Sequence, residues 1–266
     1  MLNQTESYIL GFLQTDGHFS KDNKRISIEI SAKDIDILQK IRAYFNETKP
    51  LGGRTRNTNF MNNYKCVSFD TSKNAIVSIF RPFLPSGSKS LLIESPKHVE
   101  YSEIDYWRGI FDGDGSLGIK SKRNETYISL TTASEQLFID LKAFIRNRFG
   151  WELNVRRNKR DNIYNITFVN HKAYKLAHLL YHENTIAIDR KYKLAVKVIN
   201  FDYRSISQSK VRIFTREEDD IILKLDHKDA VTYFGTQYED PPKLLGNTIA
   251  CRRKCLKTLL KYELLK

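Results

Sequence analysis

The chain has few cysteines and no long apolar run, and these absences exclude several classes of protein. Its three cysteines among 266 residues are too few for a disulfide-stabilised scaffold. We therefore expect a reducing intracellular compartment, either the cytoplasm or nucleoid, or an organelle matrix. No stretch of about 18 apolar residues is present, so no membrane-spanning helix is expected. Residues 1–7 are polar and do not have the pattern of a signal peptide.

Zinc ligands are also scarce. Cys251 and Cys255 lie one turn apart on a predicted helix, but no histidine pair stands close to them. Because structural zinc sites need four ligands of this kind, a zinc site is not expected.

Acidic residues are fewer than basic ones. The chain has 31 Asp+Glu against 44 Lys+Arg, which gives a formal net charge of +13. Such a charge favours a polyanionic partner, and nucleic acid is the leading candidate because each neutralised phosphate releases counterions. An anionic membrane surface is the alternative, but the basic residues are scattered and do not form one amphipathic helix.

One short pattern occurs twice. Residues 8–17 read YILGFLQTDG and residues 106–115 read YWRGIFDGDG. Each copy is an apolar, helix-like run with an internal glycine and with Asp-Gly at its end. A single Asp-Gly is an ordinary turn signal, whereas two matching copies indicate two related halves that each supply one carboxylate.

The segments that follow the two motifs also match. Residues 25–31 and 127–131 alternate apolar and polar side chains, as half-buried strands do. Each is followed by an amphipathic helix, two further strands and a third helix, so each half is predicted to be αββαββα. The predicted parts of this α+β chain are a first half at 1–90, a linker at 91–102, a second half at 103–200 and a helical C-terminal extension at 210–266.

The extension has helix signals of its own. Thr215 and Glu218 fit a capping box that opens a helix, and a later helix is predicted from Thr248 to about Glu263. The extension faintly resembles a Myb-like or helix-turn-helix module, although Phe214 stands where the first tryptophan is expected. Two roles remain open for it: an additional contact with DNA, or packing against the main domain.

Small residues share one face of each motif helix. Gly11 and Thr15 lie one turn apart, as do Gly109 and Gly113. A glycine within a helix costs about 1 kcal/mol relative to alanine, so a packing reason is expected. We predict that the two motif helices pack against each other.

The carboxylates that end the two motifs are the candidate catalytic groups. Gly17 and Gly115 are predicted to be left-handed C-terminal caps, which places Asp16 and Asp114 where the helix macrodipole is negative. Two acids brought together there also repel each other. A divalent cation would reverse both effects, and hard oxygen ligands suit Mg²⁺, or another divalent cation such as Mn²⁺. The alternative is that both Asp-Gly pairs only end helices.

Over about residues 5–200 these features resemble the LAGLIDADG homing endonucleases, in the single-chain form with two motifs. The resemblance implies two pseudo-symmetric αββαββα halves that pack through their motif helices and carry saddle-shaped DNA-binding sheets. It also implies that Asp16 and Asp114 bind catalytic metal, together with the backbone carbonyls of Thr15 and Gly113. The implied protein is monomeric and takes part in intron homing. It cuts both strands of a long, asymmetric double-stranded DNA target by metal-assisted phosphodiester hydrolysis.

The motifs depart from the family pattern before their final acids. Gln14 stands where the family often has Asp, whereas the second motif keeps Asp112. Leu10 and Arg108 replace the small residue that precedes the glycine, so looser helix packing is expected there. If one half of the active site is weakened, Gln14 and Leu10 indicate that it is the first half.

The family also carries basic residues near the end of each half that reach the scissile phosphates. Lys89 and Lys191 occupy comparable positions here, and Arg190 competes with Lys191 for the second place. The alternative is that each is an ordinary solvated side chain.

The polar faces of the strands are the predicted surface for reading DNA, because a two-stranded ribbon fits the major groove. Arginines at a predicted hairpin tip, within 156–160, suit phosphate contacts. Since the halves differ in sequence, an asymmetric target is expected. The candidate contact residues are Arg25, Ser27, Glu29, Arg54, Arg56, Lys120, Lys122, Arg123, Ser129, Thr131, Arg156, Arg157 and Arg160.

Other functions of the same fold remain open. The chain could be an intron maturase or a DNA-binding regulator that does not cut. Such degenerate members usually lose a motif acid, and both acids are kept here. An intein is not expected, because neither end of the chain shows splicing residues.

Overall fold

The first half has the predicted order of elements. The computed structural model describes residues 1–266 except positions 21, 23, 58–61, 86–88, 122–123, 204–213, 238–244, 263, 265 and 266. In chain order the helices and strands of the first half are α1 (Gln4–Asp16), β1 (Gly17–Phe19), β2 (Ile26–Ser31), α2 (Ile35–Tyr44), β3 (Gly52–Arg56), β4 (Tyr64–Thr71) and α3 (Asn74–Phe80).

Among its described residues, the second half repeats this order with one strand fewer and one helix more. Its elements are α4 (Glu103–Asp114), β5 (Gly115–Lys120), β6 (Glu125–Thr132), α5 (Glu135–Phe149), β7 (Tyr164–Val169), α6 (His171–Leu180) and α7 (Asp189–Ile199). Helix α7 was not predicted from the sequence.

Each half contains one antiparallel sheet. The strand order is β1-β2-β4-β3 in the first sheet and β5-β6-β7 in the second. The alternation predicted for β2 and β6 is confirmed, since Ile28 and Ile128 lie on the core side and are at most 1% exposed. The helices therefore cover one face of each sheet and leave the other face polar.

The third of the four strands predicted for the second half does not form among the described residues. Residues 151–158 connect α5 to β7 without joining the sheet. Their burial still alternates, because Leu153 is buried and Asn154 is exposed. Arg157 also packs over the ring of Tyr164, at 4.8 Å from its centroid. The strand predicted before β7 was therefore wrong for the described residues, although the segment is partly buried.

Helices α1 and α4 form the centre of a core that both halves share. Every residue from Ser7 to Gln14 is buried, as is every residue from Asp105 to Asp112. Such burial on all sides is typical of a core helix. Helix α1 begins at a capping box formed by Asn3 and Glu6, and α4 begins at the Ser102 side chain.

The C-terminal extension has a small core of its own. Its helices are α8 (Arg216–Lys224), α9 (His227–Gly235) and α10 (Leu245–Lys261). The capping box predicted at Thr215 and Glu218 is present. Helix α10 overlaps most of the predicted last helix, but it begins earlier and ends at Lys261. Buried apolar side chains of the three helices meet in this core, among them Ile222, Phe234 and Leu256.

Two further features concern the surroundings of the protein. Within the described ranges, no helix has both the length and the apolar character needed to cross a bilayer. The three cysteines are free thiols, and the reducing intracellular compartment remains a prediction.

Candidate active site

The two motif helices touch along their glycine faces, as the sequence predicted. A Cβ atom added to Gly11 would lie 2.2 Å from the carbonyl oxygen of Tyr106, and one added to Gly109 would lie 2.1 Å from that of Tyr8. Real Cβ atoms essentially never approach within 3.0 Å. Only glycine permits this contact, which brings the C-terminal ends of α1 and α4 together.

The looser packing expected at Leu10 and Arg108 is not observed. Both side chains are fully buried. The Arg108 guanidinium donates to Ile186 O at 2.8 Å and to Leu180 O at 3.0 Å, and it pairs with Asp105. This buried cation therefore ties α4 to the end of α6 and to the segment that follows it.

Gly17 and Gly115 are not left-handed caps, which corrects the sequence prediction. Their φ angles are −80° and −90°, in the extended region, and they open β1 and β5. Each helix thus runs directly into a strand. A Cβ atom would lie 2.5 Å from Leu13 O at the first position and 2.4 Å from Phe111 O at the second, so lack of space requires glycine at both.

Asp16 and Asp114 are the last residues of the two motif helices, and the helix ends that carry them meet. Asp16 Oδ2 lies 2.9 Å from the place where a Cβ on Gly113 would stand. Desolvation and then the charge of Asp114 raise the pKa of Asp16 to about 6. Desolvation by the surrounding protein also raises the pKa of Asp114. The pair is therefore costly to ionise without a cation.

Lys89 and Lys191 place their ammonium groups at the C-terminal ends of α1 and α4. Lys89 Nζ donates to Leu13 O at 2.8 Å and also to Gly17 O. Lys191 Nζ donates in the same way to the last carbonyls of α4, at 3.0 Å to Phe111 O. The two halves thus provide equivalent lysines at equivalent helix ends.

These lysines carry positive charge into a desolvated site. Desolvation lowers the pKa of Lys89 to about 8, although Asp16 and Asp114 oppose the shift. The pKa of Lys191 is also lowered by desolvation, and this side chain is only 5% exposed. A cation at a helix C-terminus is favourable, so each lysine stabilises the helix end that its neighbouring acid destabilises.

Arg190 does not occupy the position equivalent to Lys89. Its guanidinium forms two hydrogen bonds with Asp34 of the first half, at 2.9 Å and 2.8 Å. Lys191 is therefore the structural counterpart of Lys89, and Arg190 joins the two halves beside the site.

Two tyrosines, one on each motif helix, donate hydrogen bonds across the helix interface. Each bonds to the residue two positions before the final acid of the other motif. Tyr8 OH donates to Asp112 Oδ2 at 2.7 Å, and Tyr106 OH donates to Gln14 Oε1 at 2.6 Å. Asp112 also accepts a hydrogen bond from Tyr181 OH at 2.8 Å. The two motif helices are thus joined by a reciprocal pair of buried hydrogen bonds.

Gln14 and Asp112 also fix the segments that lead to the lysines. Gln14 Nε2 donates to Phe83 O at 3.0 Å and to Glu94 O at 2.9 Å, on either side of Lys89. Asp112 accepts from the backbone N–H of Ile188 at 2.8 Å, shortly before Lys191. Gln14 therefore makes the same kind of tie as Asp112, despite its departure from the family pattern.

The donors at the paired helix ends suit a hard divalent cation. Among the described residues, no cluster of three or more His, Cys, Asp or Glu side chains could hold a metal ion. Two carboxylates alone suit Mg²⁺, which keeps several waters and takes further oxygens from phosphates. A divalent cation beside Asp16 and Asp114 would also lower the pKa values of both acids, against the upward shifts described above.

The polar face of the first sheet carries charged side chains. Glu29 forms ion pairs with Arg54 at 2.7 Å and with Arg56 at 3.3 Å. Ser27 lies on this face beside Glu29, because both alternate with buried isoleucines along β2. Arg25 is exposed immediately before the strand. The structure therefore brings Ser27, Glu29, Arg54 and Arg56 to one surface, and Arg25 is exposed at the adjacent end of β2.

The polar face of the second sheet is richer in hydroxyl and amide groups. Ser129 and Thr131 lie on the side of β6 away from the core, and Thr131 Oγ1 donates to Asn165 Oδ1 at 3.1 Å. Lys120 ends β5 and pairs with Glu125 at 2.9 Å. The two sheets therefore offer different chemistry to a partner.

Three of the remaining predicted contact residues, Arg156, Arg157 and Arg160, lie outside the sheet. Arg156 and Arg160 are exposed, and Arg160 pairs with the adjacent Asp161 at 2.8 Å. Arg157 is partly buried against the ring described above. Lys122 and Arg123 lie outside the described residues.

Comparisons with protein families agree with this arrangement. Residues 9–99 match the family model described as LAGLIDADG endonuclease, and residues 102–185 match the one described as LAGLIDADG-like domain. The chain belongs to the LAGLIDADG homing endonuclease family and has two motif domains in one polypeptide.

Two solved structures are similar to this chain. The homing endonuclease I-WcaI bound to its DNA recognition sequence is 19% identical, with a TM-score of 0.50 and coverage of 72% of this chain and 85% of that chain. The I-LtrWI LAGLIDADG homing endonuclease bound to target DNA is 12% identical, with a TM-score of 0.47 and coverage of 73% and 88%. The likeness to I-WcaI confirms the α+β fold with two related halves. A comparison with curated proteins found no match.

Sequence reasoning missed helix α7 and the crossed tyrosines. Lys191, Ala195 and Val198 are buried at helical spacing on α7, and this spacing could have revealed the helix. Tyr8 and Tyr106 stand at the same position of the two motifs, which is the signal that could have revealed their equivalent roles.

Proposed function

We propose that the chain is a site-specific homing endonuclease that makes a double-strand break in a long, asymmetric DNA target. The observation that carries the proposal is the meeting of Asp16 and Asp114 at the paired ends of α1 and α4, each beside a buried or half-buried lysine. Two equivalent sets of one acid and one lysine suit the hydrolysis of two strands.

The acids would hold the metal. Asp16 and Asp114, with the backbone carbonyls of Thr15 and Gly113, would bind Mg²⁺ or another divalent cation such as Mn²⁺. When bound, the cation supplies an activated water and stabilises the leaving oxygen. Because the pKa of Asp16 is raised to about 6, protons compete with the cation for this carboxylate near and below that pH.

The lysines would supply fixed positive charge. Lys89 and Lys191 are held by helix carbonyls, so their ammonium groups need little reorganisation as negative charge develops on a phosphate. Preorganised charge of this kind is a large source of rate enhancement. Lys191 is almost fully buried, so we assign it a charge effect through the site and not a direct phosphate contact.

The polar faces of the two sheets would bind the DNA. The structures of I-WcaI and I-LtrWI contain bound DNA, and this chain carries a formal net charge of +13. The polar face of the first sheet carries charged side chains, and that of the second carries hydroxyl groups. This difference favours two half-sites of different sequence. Because both halves lie in one chain, a monomer is sufficient, and no membrane partner is proposed.

The first substrate to test is the DNA that flanks the gene, joined without the insertion. The protein should convert a supercoiled plasmid that carries this sequence to the linear form when Mg²⁺ is present, and EDTA should stop the reaction. Binding without cleavage at any Mg²⁺ or Mn²⁺ concentration, together with faster splicing of the host intron RNA, would support a maturase instead.

A further inference from the structure

Helix α10 carries an exposed basic face that the proposed active site and sheets do not use. Lys254, Lys257 and Lys261 are exposed and follow one another at intervals of three and four residues along the helix. With His227 of α9 they line an open groove of about 490 Å³. No carboxylate of the described residues forms an ion pair with any of these lysines. Their charges are therefore available to an external anion.

A buried acidic residue of the extension, Asp219, lies on the other side of α10. Arg252 forms a fully buried, bidentate pair with Asp219 of α8, at 2.7 Å and 2.6 Å. At about 100° per residue, Lys254, Lys257 and Lys261 point roughly opposite to Arg252. The pair thus fixes α8 against one side of α10 and leaves the basic side facing solvent.

The extension docks at the end of the second sheet that is far from Asp114. Tyr262 stacks on His171 at the start of α6, with ring centroids 3.7 Å apart. Tyr203, which packs with the end of α10, lies 3.2 Å by its hydroxyl from Thr126 Oγ1. Thr126 pairs with Ile119, near the end of β5.

The length of strand β5 gives the approximate distance between the acids of the active site and the end of the sheet at which the extension docks. It runs from Gly115, next to the acids, to Lys120, which is about 17 Å at ~3.3 Å per residue. A duplex that lies along the polar face of this sheet and continues past Lys120 leaves the sheet at the same end at which the extension docks.

We infer that the basic face of α10 binds the phosphate backbone of duplex DNA beyond the outer end of the second sheet. The inference rests on the proposed function, because it requires DNA on the sheet faces. Lysine contacts of this kind position a protein and do not read bases. The contact should therefore raise affinity for flanking DNA of any sequence, on one side of the target only.

Full-length Lys257→Gln/Lys261→Gln protein tests the inference. Lys142→Gln/Arg146→Gln is the matched control, since it removes two charges from α5, which covers the core side of the same sheet. Binding is measured on the core target and on duplexes extended by about 10 base pairs on one side or the other. Thermal unfolding verifies that both variants are folded.

The wild type and the control should bind one of the two extended duplexes about 10-fold more tightly than the core target. The α10 variant should lose this gain, bind the core target normally, and show a salt slope on the extended duplex that is smaller by about 1.8. An unchanged gain in the α10 variant would overturn the inference, as would a gain that requires single-stranded or RNA extensions. Failure of the wild type to bind even the core target would instead count against the proposed function.

Discussion

At the scale of residues, the site consists of acids and lysines that compensate each other at two helix ends. The sequence was enough to predict Asp16 and Asp114 at these ends, and to propose Lys89 and Lys191 nearby. It could not show that the lysines bind the helix carbonyls. That contact depends on loops whose paths are set by long-range bonds, such as those from Gln14, and such bonds leave no local pattern.

Replacing Asp16 by Asn should stabilise the metal-free protein at pH 8 but not at pH 4. The folded-state pKa of about 6 exceeds the ordinary value of 3.8, so the folded protein binds more protons than the unfolded chain between these values. Wild-type stability therefore falls as pH rises through this window. Urea unfolding at both pH values measures the difference between variant and wild type. The same difference at both would show that the pKa is not raised.

Mg²⁺ should stabilise the wild type at pH 8, because a ligand that binds only the folded state raises its stability. Asp16→Asn and Asp114→Asn should each reduce the rise in melting temperature that Mg²⁺ produces. Asp161→Asn, a change at an acid of the 159–161 turn, is the control and should respond as the wild type does. Equal responses in all four proteins would remove these acids from the metal site.

The crossed tyrosines should each contribute to stability. Tyr8→Phe and Tyr106→Phe leave a buried acceptor with one donor fewer, which costs about 1–3 kcal/mol. Tyr233→Phe is the matched control, because this tyrosine is 43% exposed. Urea unfolding of the three variants provides the comparison. Loss of stability in the control alone, or in none of them, would be inconsistent with a reciprocal bond across the interface.

At the scale of elements, the motif helices were predictable, but the structure that directly follows each helix was not. Apolar periodicity and the final Asp-Gly located α1 and α4 correctly. The same Asp-Gly predicted left-handed caps, whereas each helix continues directly into a strand. Glycine is required at 17 and 115 because the preceding helix turn leaves no space for a Cβ atom. The strand predicted before β7 did not form among the described residues, because hydrogen-bonded pairing also needs a partner strand in register.

Gly11→Ala should force the motif helices apart. Its Cβ atom would meet the backbone oxygen of Tyr106 at 2.2 Å, and overpacking of this kind costs about 1–3 kcal/mol or more. Gly246→Ala in α10 is the control, since its Cβ would lie 3.7 Å from a flexible Val231 methyl group. The first variant should unfold at lower urea concentration and the second should not. Equal stability of the two would contradict the close helix contact.

At the scale of the whole molecule, one core joins the two halves, while the extension has a separate core. The internal repeat was sufficient to predict two halves and an α+β class. It could not predict how the polar faces differ, because ion pairs such as Glu29–Arg54 form between strands that are distant in sequence. The difference between the faces has a consequence for the target.

Arg54→Gln and Thr131→Val should relax base preference in opposite halves of the target. Each removes a polar group from one sheet only, and loss of a base contact costs about 1–3 kcal/mol of discrimination. Selection of cleaved sequences from a randomised target library measures the preference at every position. Changes spread over both half-sites in either variant would contradict the assignment of one sheet to each half-site.

The central claim is that one acid from each half is required to cut both strands. Cleavage and binding of the same target duplex by the wild type, Asp16→Asn and Asp114→Asn test it directly. In Mg²⁺, the rate of double-strand cleavage by each variant should fall by about 1,000-fold or more, since metal-assisted stabilisation is worth several kcal/mol. DNA binding measured without metal should change little. Full double-strand cleavage by either variant would contradict the account.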